Sequence, residues 1–244
     1  MKKKTWLWLV AVLVLLAVLL CLLPDRAEES AVYSSSEELR GKTIGSLTGA
    51  PTGNYVTEYF DGELVNKYFA QNADMALAVE SGRLDAYICD SVTAARMCKL
   101  YDTQVILDPP VKVGEVCFAF AKDDPAEAEL CEQWNEFVLK LREDGTLDRL
   151  REKWTAEDEE GKTLDIPLTG NKGTLTWACS TNVGAPFCYL SNGEFVGYEV
   201  ELVRMFCQEH ELQLEMTDYD IGGMISAVQA GKVMMGLMIR KSQL

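Results

Sequence analysis

Two kinds of hydrophobic pattern divide this chain. From Trp6 to Leu23 every residue is uncharged, an unbroken run of 18. At about 1.5 Å of rise per residue, a helix of that length spans roughly 27 Å, close to the hydrocarbon thickness of a bilayer. Further along, short apolar stretches alternate with segments of helical period, the signature of an α/β sheet. Strands are predicted at Thr43–Ser46, Leu64–Phe69, Asp85–Cys89, Val105–Leu107 and Val116–Ala121. Between and after them, helices are predicted from near Asn54, over Asp74–Ser81, Ser91–Leu100, Pro125–Arg142 and Leu147–Trp154. Pro125 suits a first helical turn, where a missing N–H is no loss, and Asp144-Gly145-Thr146 reads as a helix start. The style then repeats, with strands at Leu175–Cys179, Leu212–Met216 and Val233–Leu237 and helices at Tyr198–Glu211 and Ile221–Ala230.

Polar stretches set the boundaries. Residues 24–36 are small, polar and acidic without periodicity, which reads as a tether. A linker is expected over 155–173, opening with Glu157-Asp158-Glu159-Glu160-Gly161 and closing with Thr169-Gly170-Asn171-Lys172-Gly173. The expected organisation is therefore a membrane anchor or signal at 1–23, the tether at 24–36, and folded blocks at 37–154 and 174–244. Strands joined through helices predict mostly parallel pairing in each block.

Charge and length change this picture in two ways. Lys2, Lys3 and Lys4 precede the long apolar run and place that end inside, so everything after Pro24 is expected outside the cell membrane. Signal cleavage wants small residues at −3 and −1, and the stretch from Leu20 to Ala27 offers no such pair. Lipid attachment at Cys21 would need a small residue where Leu20 stands. The retained transmembrane helix is the reading these residues favour, and all three readings export the body of the chain. The net charge of −15, from 23 basic and 38 acidic residues, disfavours nucleic acid as a partner because nothing offsets phosphate repulsion. At 244 residues the chain can bury one or two cores without disulfide staples.

Four segments of the first block, in order, resemble the second lobe of the bacterial extracellular solute-binding proteins of family 3, the type 2 periplasmic amino-acid-binding proteins. Leu39-Arg40-Gly41-Lys42-Thr43-Ile44-Gly45 is similar to the family's "LKGKKVGV", and Thr48-Gly49-Ala50-Pro51-Thr52-Gly53 to its "TGTTG" loop. Ser81 to Asp90 resembles "GRVDAVVTD", and Asp144-Gly145-Thr146-Leu147, ending at Lys153-Trp154, resembles the closing "DGTYDKIYKKW". In the second block, Gly184-Ala185-Pro186-Phe187 and Asn192 to Leu202 resemble "YPPFEF…DGKLVGFDVDL" of the family's first lobe, and Ile225 to Lys232 resembles "LIPALQSGK". The resemblance implies two α/β lobes around a ligand cleft, in swapped order and with the second-block lobe cut short. Met234 stands where the family usually has Asp. The family's "TITPER" segment, whose arginine clasps a ligand carboxylate, has no counterpart after Leu237.

A zwitterionic amino acid needs donors for its carboxylate and an anion for its ammonium. A Gly/Thr turn that opens a helix offers backbone N–H groups and the positive end of a dipole, so Thr48, Gly49, Ala50 and Thr52 are the candidate carboxylate donors. Asp90 ends a predicted strand and opens a helix, where it can meet an ammonium or serve as an N-cap, and the two roles can coexist. Phe187 is a candidate stacking residue, with core packing the competing role. Neither a catalytic acid–base pair, a metal site nor a cofactor is legible: His210 is the lone histidine and reads as a surface residue. The cysteines at strand positions, such as Cys89 and Cys117, read as small core hydrophobes. The expected function is an extracytoplasmic solute-binding module for an amino-acid-like ligand, not an enzyme, serving an ABC permease or a signalling receptor. The alternatives are a truncated relative that binds nothing and a dehydratase-like enzyme on the same fold.

Overall fold

The computed structural model describes residues 33–121, 125–158 and 161–241. The expected anchor or signal at 1–23, and the tether as far as Val32, lie outside the described residues. Among the described residues, no helix is long and apolar enough to cross a membrane.

The first lobe is continuous in sequence. It runs through β1 (Thr43–Leu47), α1 (Thr52–Tyr59), β2 (Val65–Phe69), α2 (Asn72–Glu80), β3 (Ala86–Tyr87) and α3 (Ser91–Leu100). Its strands form a parallel sheet in the order β2-β1-β3. The two-residue period of β1 feeds two apolar layers. Ile44 joins Leu39, Val56 and Phe60 on one side, while Leu47 joins Met75, Ala78 and Leu84 on the other. Gly45 lies on the second side because a Cβ there would stand 2.6 Å from Leu84 Cδ1. Asp85 ties the lobe to its own beginning: it accepts from Tyr33 Oη at 2.6 Å and from the Thr43 N–H at 2.8 Å. Burial, then this hydrogen bond, push the Tyr33 phenol up to about 12. Val105–Leu107, expected as a strand, forms none; Val105 and Ile106 are 60% and 55% exposed. The segment is held at its ends instead. Gln104 donates to Ala76 O at 3.0 Å, and Leu107 packs on the Phe60 layer.

The second lobe is assembled from distant pieces. These are β4 (Gly114–Phe120), α4 (Pro125–Glu143), α5 (Thr146–Thr155), β5 (Thr174–Cys179), β6 (Tyr189–Ser191), β7 (Glu194–Val196), α6 (Tyr198–Glu209), β8 (Gln213–Asp218), α7 (Ile221–Gln229) and β9 (Met235–Lys241). The sheet order is β4-β9-β5-β8, with β5 parallel to β8 and β9, and β4 antiparallel to β9 from Gly114↔Lys241 to Phe120↔Met235. Alternation along β5 again feeds two layers. Leu175, Trp177 and Cys179 join Trp134, Phe137 and Phe206 from α4 and α6, and Ala178 joins Met224, Ala227 and Val228 from α7. The large layer is aromatic at its centre: Trp134 lies 4.5 Å from Phe118 and 5.1 Å from Phe206 between ring centroids. Each such fully buried ring contributes roughly 1.5–3 kcal/mol.

The sheets therefore do not divide the chain where the sequence blocks do. Sequence order groups β4, α4 and α5 with the first block, yet β4 pairs with β9 and both helices cover the second lobe. Glu201 on α6 seals the arrangement. It accepts from Lys153 Nζ at 2.8 Å and from the Trp154 indole N–H at 2.6 Å, joining the end of one block to the start of the other. The expected linker is laid on the same lobe, with Leu164 and Leu168 against the aromatic layer and Ile166 O accepting from Arg204 at 2.8 Å. The expectation of mostly parallel pairing meets its exception in β4–β9 and in the short β6–β7 hairpin.

Candidate functional site

The parallel strands of each lobe end at a loop that reaches the seam between the lobes. From the first lobe come the turn after β1 (Thr48–Pro51), Asn72 at the start of α2, and Asp90 after β3. From the second come the 180–188 segment after β5 and the starts of α6 and α7. Carboxyl ends of parallel strands are where open α/β sheets place ligands. Contacts cross here directly: Asn72, 5% exposed, donates to Val183 O at 3.0 Å, and Ile221 packs into the layer of Leu47 and Met75.

The predicted carboxylate turn is largely occupied with its own folding. The Thr48 N–H and hydroxyl both donate to Phe69 O, at 2.8 and 2.9 Å, and the Ala50 N–H donates to Leu47 O at 3.2 Å. Gly49 has φ +78, and a Cβ on it would come 2.8 Å from Gly222 N, so the turn is pressed against the start of α7. Only glycine meets both demands. Thr52, the first residue of α1, has a buried hydroxyl with no hydrogen-bond partner. Ser180, 3% exposed at the end of β5, is in the same state.

Asp90 is the N-cap of α3. Its Oδ1 accepts from the Val92 and Thr93 N–H groups at 3.0 and 2.9 Å, and its Oδ2 accepts from Thr93 Oγ1 at 2.6 Å. Both readings of Asp90 thus start from the same fact: a cap holds the charge in place at the seam. On α6, Glu199 is 5% exposed and is the residue that the motif reading passed over. Burial first, and then the Asp90 carboxylate, push the Glu199 carboxyl up to about 8. Burial likewise pushes the neighbouring Cys89 thiol well above its usual range, with Asp90 adding to it.

Phe187 is brought to the same place by its backbone. Its carbonyl accepts the Glu199 N–H at 3.1 Å, and the Pro186 carbonyl accepts that of Tyr198 at 2.9 Å. Gly197 permits this approach, since a Cβ on it would stand 2.1 Å from Phe187 O at φ +131. The Phe187 ring is half-buried and belongs to neither apolar layer of its lobe among the described residues, which separates it from ordinary core aromatics. The structure therefore joins Phe187 to Glu199 through the backbone and sets the Thr48–Thr52 turn beside α7, with Asp90 near enough to add to the rise of the Glu199 carboxyl. The cysteines form no disulfide among the described residues. Cys179 and Cys188 are buried, whereas Cys89 and Cys117, expected in the core, are half-buried.

The chain thus has two α/β lobes whose strand ends meet at one seam, and comparison with known proteins finds relatives of part of it. Residues 177–241 match the family model for "Bacterial extracellular solute-binding proteins, family 3". The chain is 31% identical over 133 residues to the "Probable amino-acid-binding protein YxeM" of Bacillus subtilis (strain 168), covering 54% of this chain and 50% of that protein. It is 28% identical over 137 residues to the "Arginine-binding extracellular protein ArtP" of the same organism, covering 52% of this chain and 50% of that one. It is 27% identical over 137 residues to the "Lysine/arginine/ornithine-binding periplasmic protein" of Escherichia coli (strain K12), covering 52% of each. Among solved structures, the B. pertussis BvgS periplasmic domain matches 83% of this chain and 41% of its own length at 15% identity, with a TM-score of 0.28, too low to carry a structural argument. The comparisons thus support the resemblance read from the sequence: part of this chain is similar to the bacterial extracellular solute-binding proteins of family 3. It spans about half the length of the curated relatives it matches.

Proposed function

We propose that this chain is an extracytoplasmic solute-binding module that captures an amino acid or a similar small polar solute between its two lobes. The observation that carries this reading is Asp90, a capped carboxylate fixed at the carboxyl end of β3. The β1 turn lies one strand away, because β1 pairs with β3. A carboxylate held by three donors keeps its position while its charge remains available to an ammonium. Thr52, with its free hydroxyl, and the turn Thr48-Gly49-Ala50 flank the opposite end of the ligand, and the Phe187 ring covers it. The protein works by binding and release rather than by chemistry. It hands its solute to an ABC-type permease or signals its presence through a membrane receptor, held at the outer face of the membrane by the apolar run Trp6–Leu23. The two lobes stand in swapped order relative to the family, and Glu201, Lys153 and Trp154 join the two sequence blocks.

Thermal shift against the twenty amino acids, with product analysis, tests this. One or a few amino acids should raise the unfolding temperature and be recovered unchanged. No shift with any of the twenty would leave a fold that binds no amino acid, and a changed product would leave an enzyme.

A further inference from the structure

Among the described residues, the two lobes are joined by a single stretch of chain. Val111 still packs on the Phe60 layer of the first lobe, and Gly114 already begins β4 of the second. One covalent crossing does not by itself fix how the lobes lie, so non-covalent contacts decide whether the seam stands open or shut. Three such contacts meet at the carboxyl ends of the strands. Ile221, the first residue of α7, packs into the Leu47 and Met75 layer of the first lobe and into the Met224 and Val228 layer of its own. Among the described residues, no other side chain is shared by a layer of each lobe. Beside it, Gly49 and Gly222 touch backbone to backbone: a Cβ on Gly49 would stand 2.8 Å from Gly222 N, and one on Gly222 would stand 3.8 Å from Gly49 Cα. The buried Asn72 amide then spans the seam to Val183 O at 3.0 Å. The ion pair of Lys99 with Glu157 spans the lobes as well, but both side chains are more than half exposed and it adds little.

We infer that Ile221 and Asn72 form a latch that holds the seam shut over the Thr48–Thr52 turn, and that the lobes part by breaking it. The latch stands on these contacts alone; its consequence for a solute rests on the binding function proposed above. Backbones in van der Waals contact leave no room for a carboxylate between Gly49 and Gly222. A solute therefore reaches that part of the turn only when the start of α7 has moved away. The two halves of the latch differ in kind. Opening returns the Ile221 side chain, with the floor of Leu47 and Met75 beneath it, to water. It also exchanges the Asn72 hydrogen bond for hydration of the amide and of Val183 O, a small net cost. Both costs are modest, as a contact that is made and broken reversibly requires.

Hydrogen exchange of the full chain, read by mass spectrometry, tests the latch. The informative reading is on the lobe opposite the substitution, where a merely local packing role has no effect. Ile221→Ala alters the second lobe and should speed exchange over residues 47–53, in the first, about tenfold. Asn72→Ala alters the first lobe and should speed exchange over residues 181–188, in the second, about three- to tenfold. In both variants the β5 amides of Thr174–Cys179 should exchange as in wild type, the sign that the lobes part without unfolding. Acceleration confined, in either variant, to the substituted lobe overturns the inference. The measurement needs no solute, so its failure is separate from a failure of the binding function, which the thermal-shift screen decides.

Discussion

The two lobes solve the same folding problem at different ranges. The first is built from neighbours: β1, β2 and β3 follow one another within about 45 residues and pair in parallel. The second closes only when β4 meets β9, a pairing between residues more than 110 positions apart, and when α4 and α5 settle on a sheet whose other strands come later in the chain. The first lobe offers the site a fixed charge, Asp90, satisfied by local amides. The second buries Glu199, 5% exposed in the first turn of α6. Local structure holds the one carboxylate, and tertiary structure buries the other.

The sharpest way to break this contrast is to open the large core. Trp177 is fully buried where β4, α4 and α6 converge. Trp177→Ala should destabilise the second lobe by about 3–5 kcal/mol in denaturant unfolding. Few contacts cross the seam, so amide exchange at Thr43–Leu47 should accelerate less than at Thr174–Cys179. Equal acceleration in both strands would mean the lobes unfold as one unit.

A smaller effect tests the joint between the two sequence blocks. Glu201→Ala leaves the Trp154 indole N–H buried without an acceptor and Lys153 without its partner, side chains that together hold α5 on α6. The loss should be about 2–3 kcal/mol, read from the thermal midpoint. A variant as stable as wild type would detach α5 from any role in completing this lobe.

What the sequence made legible follows the same division. Periodicity located nearly every helix to within a few residues, because α3, α4 and α6 each carry a continuous apolar stripe and start at a readable signal. The long-range pairing of β4 was not legible, since nothing in its own pattern distinguishes a neighbour at residue 47 from one at residue 241. The β6–β7 hairpin was legible and passed over: Asn192-Gly193, with φ of 52 and 84, is the turn that dipeptide favours. Glu199 also left a trace. It falls on the stripe with Leu202, Val203 and Phe206 at i, i+3, i+4 and i+7, so a charge stood where helical period demanded an apolar residue. The motif resemblance drew attention to the ends of strands, and so to Asp90 and the Thr48–Thr52 turn. It could not show that Thr48 and Ala50 spend their donors on Phe69 and Leu47.

Asp90 is proposed to act through its charge and not only as a cap, and one substitution separates the two. Asparagine caps a helix as well as aspartate, and its side-chain oxygen can still accept from the Val92 and Thr93 amides, so Asp90→Asn should leave stability within about 0.5 kcal/mol of wild type. The amino acid that binds wild type most tightly should then be titrated by calorimetry into both proteins. Affinity reduced roughly ten- to a hundredfold in Asp90→Asn is the predicted result. Equal affinities would contradict it and leave Asp90 a helix cap with no part in binding.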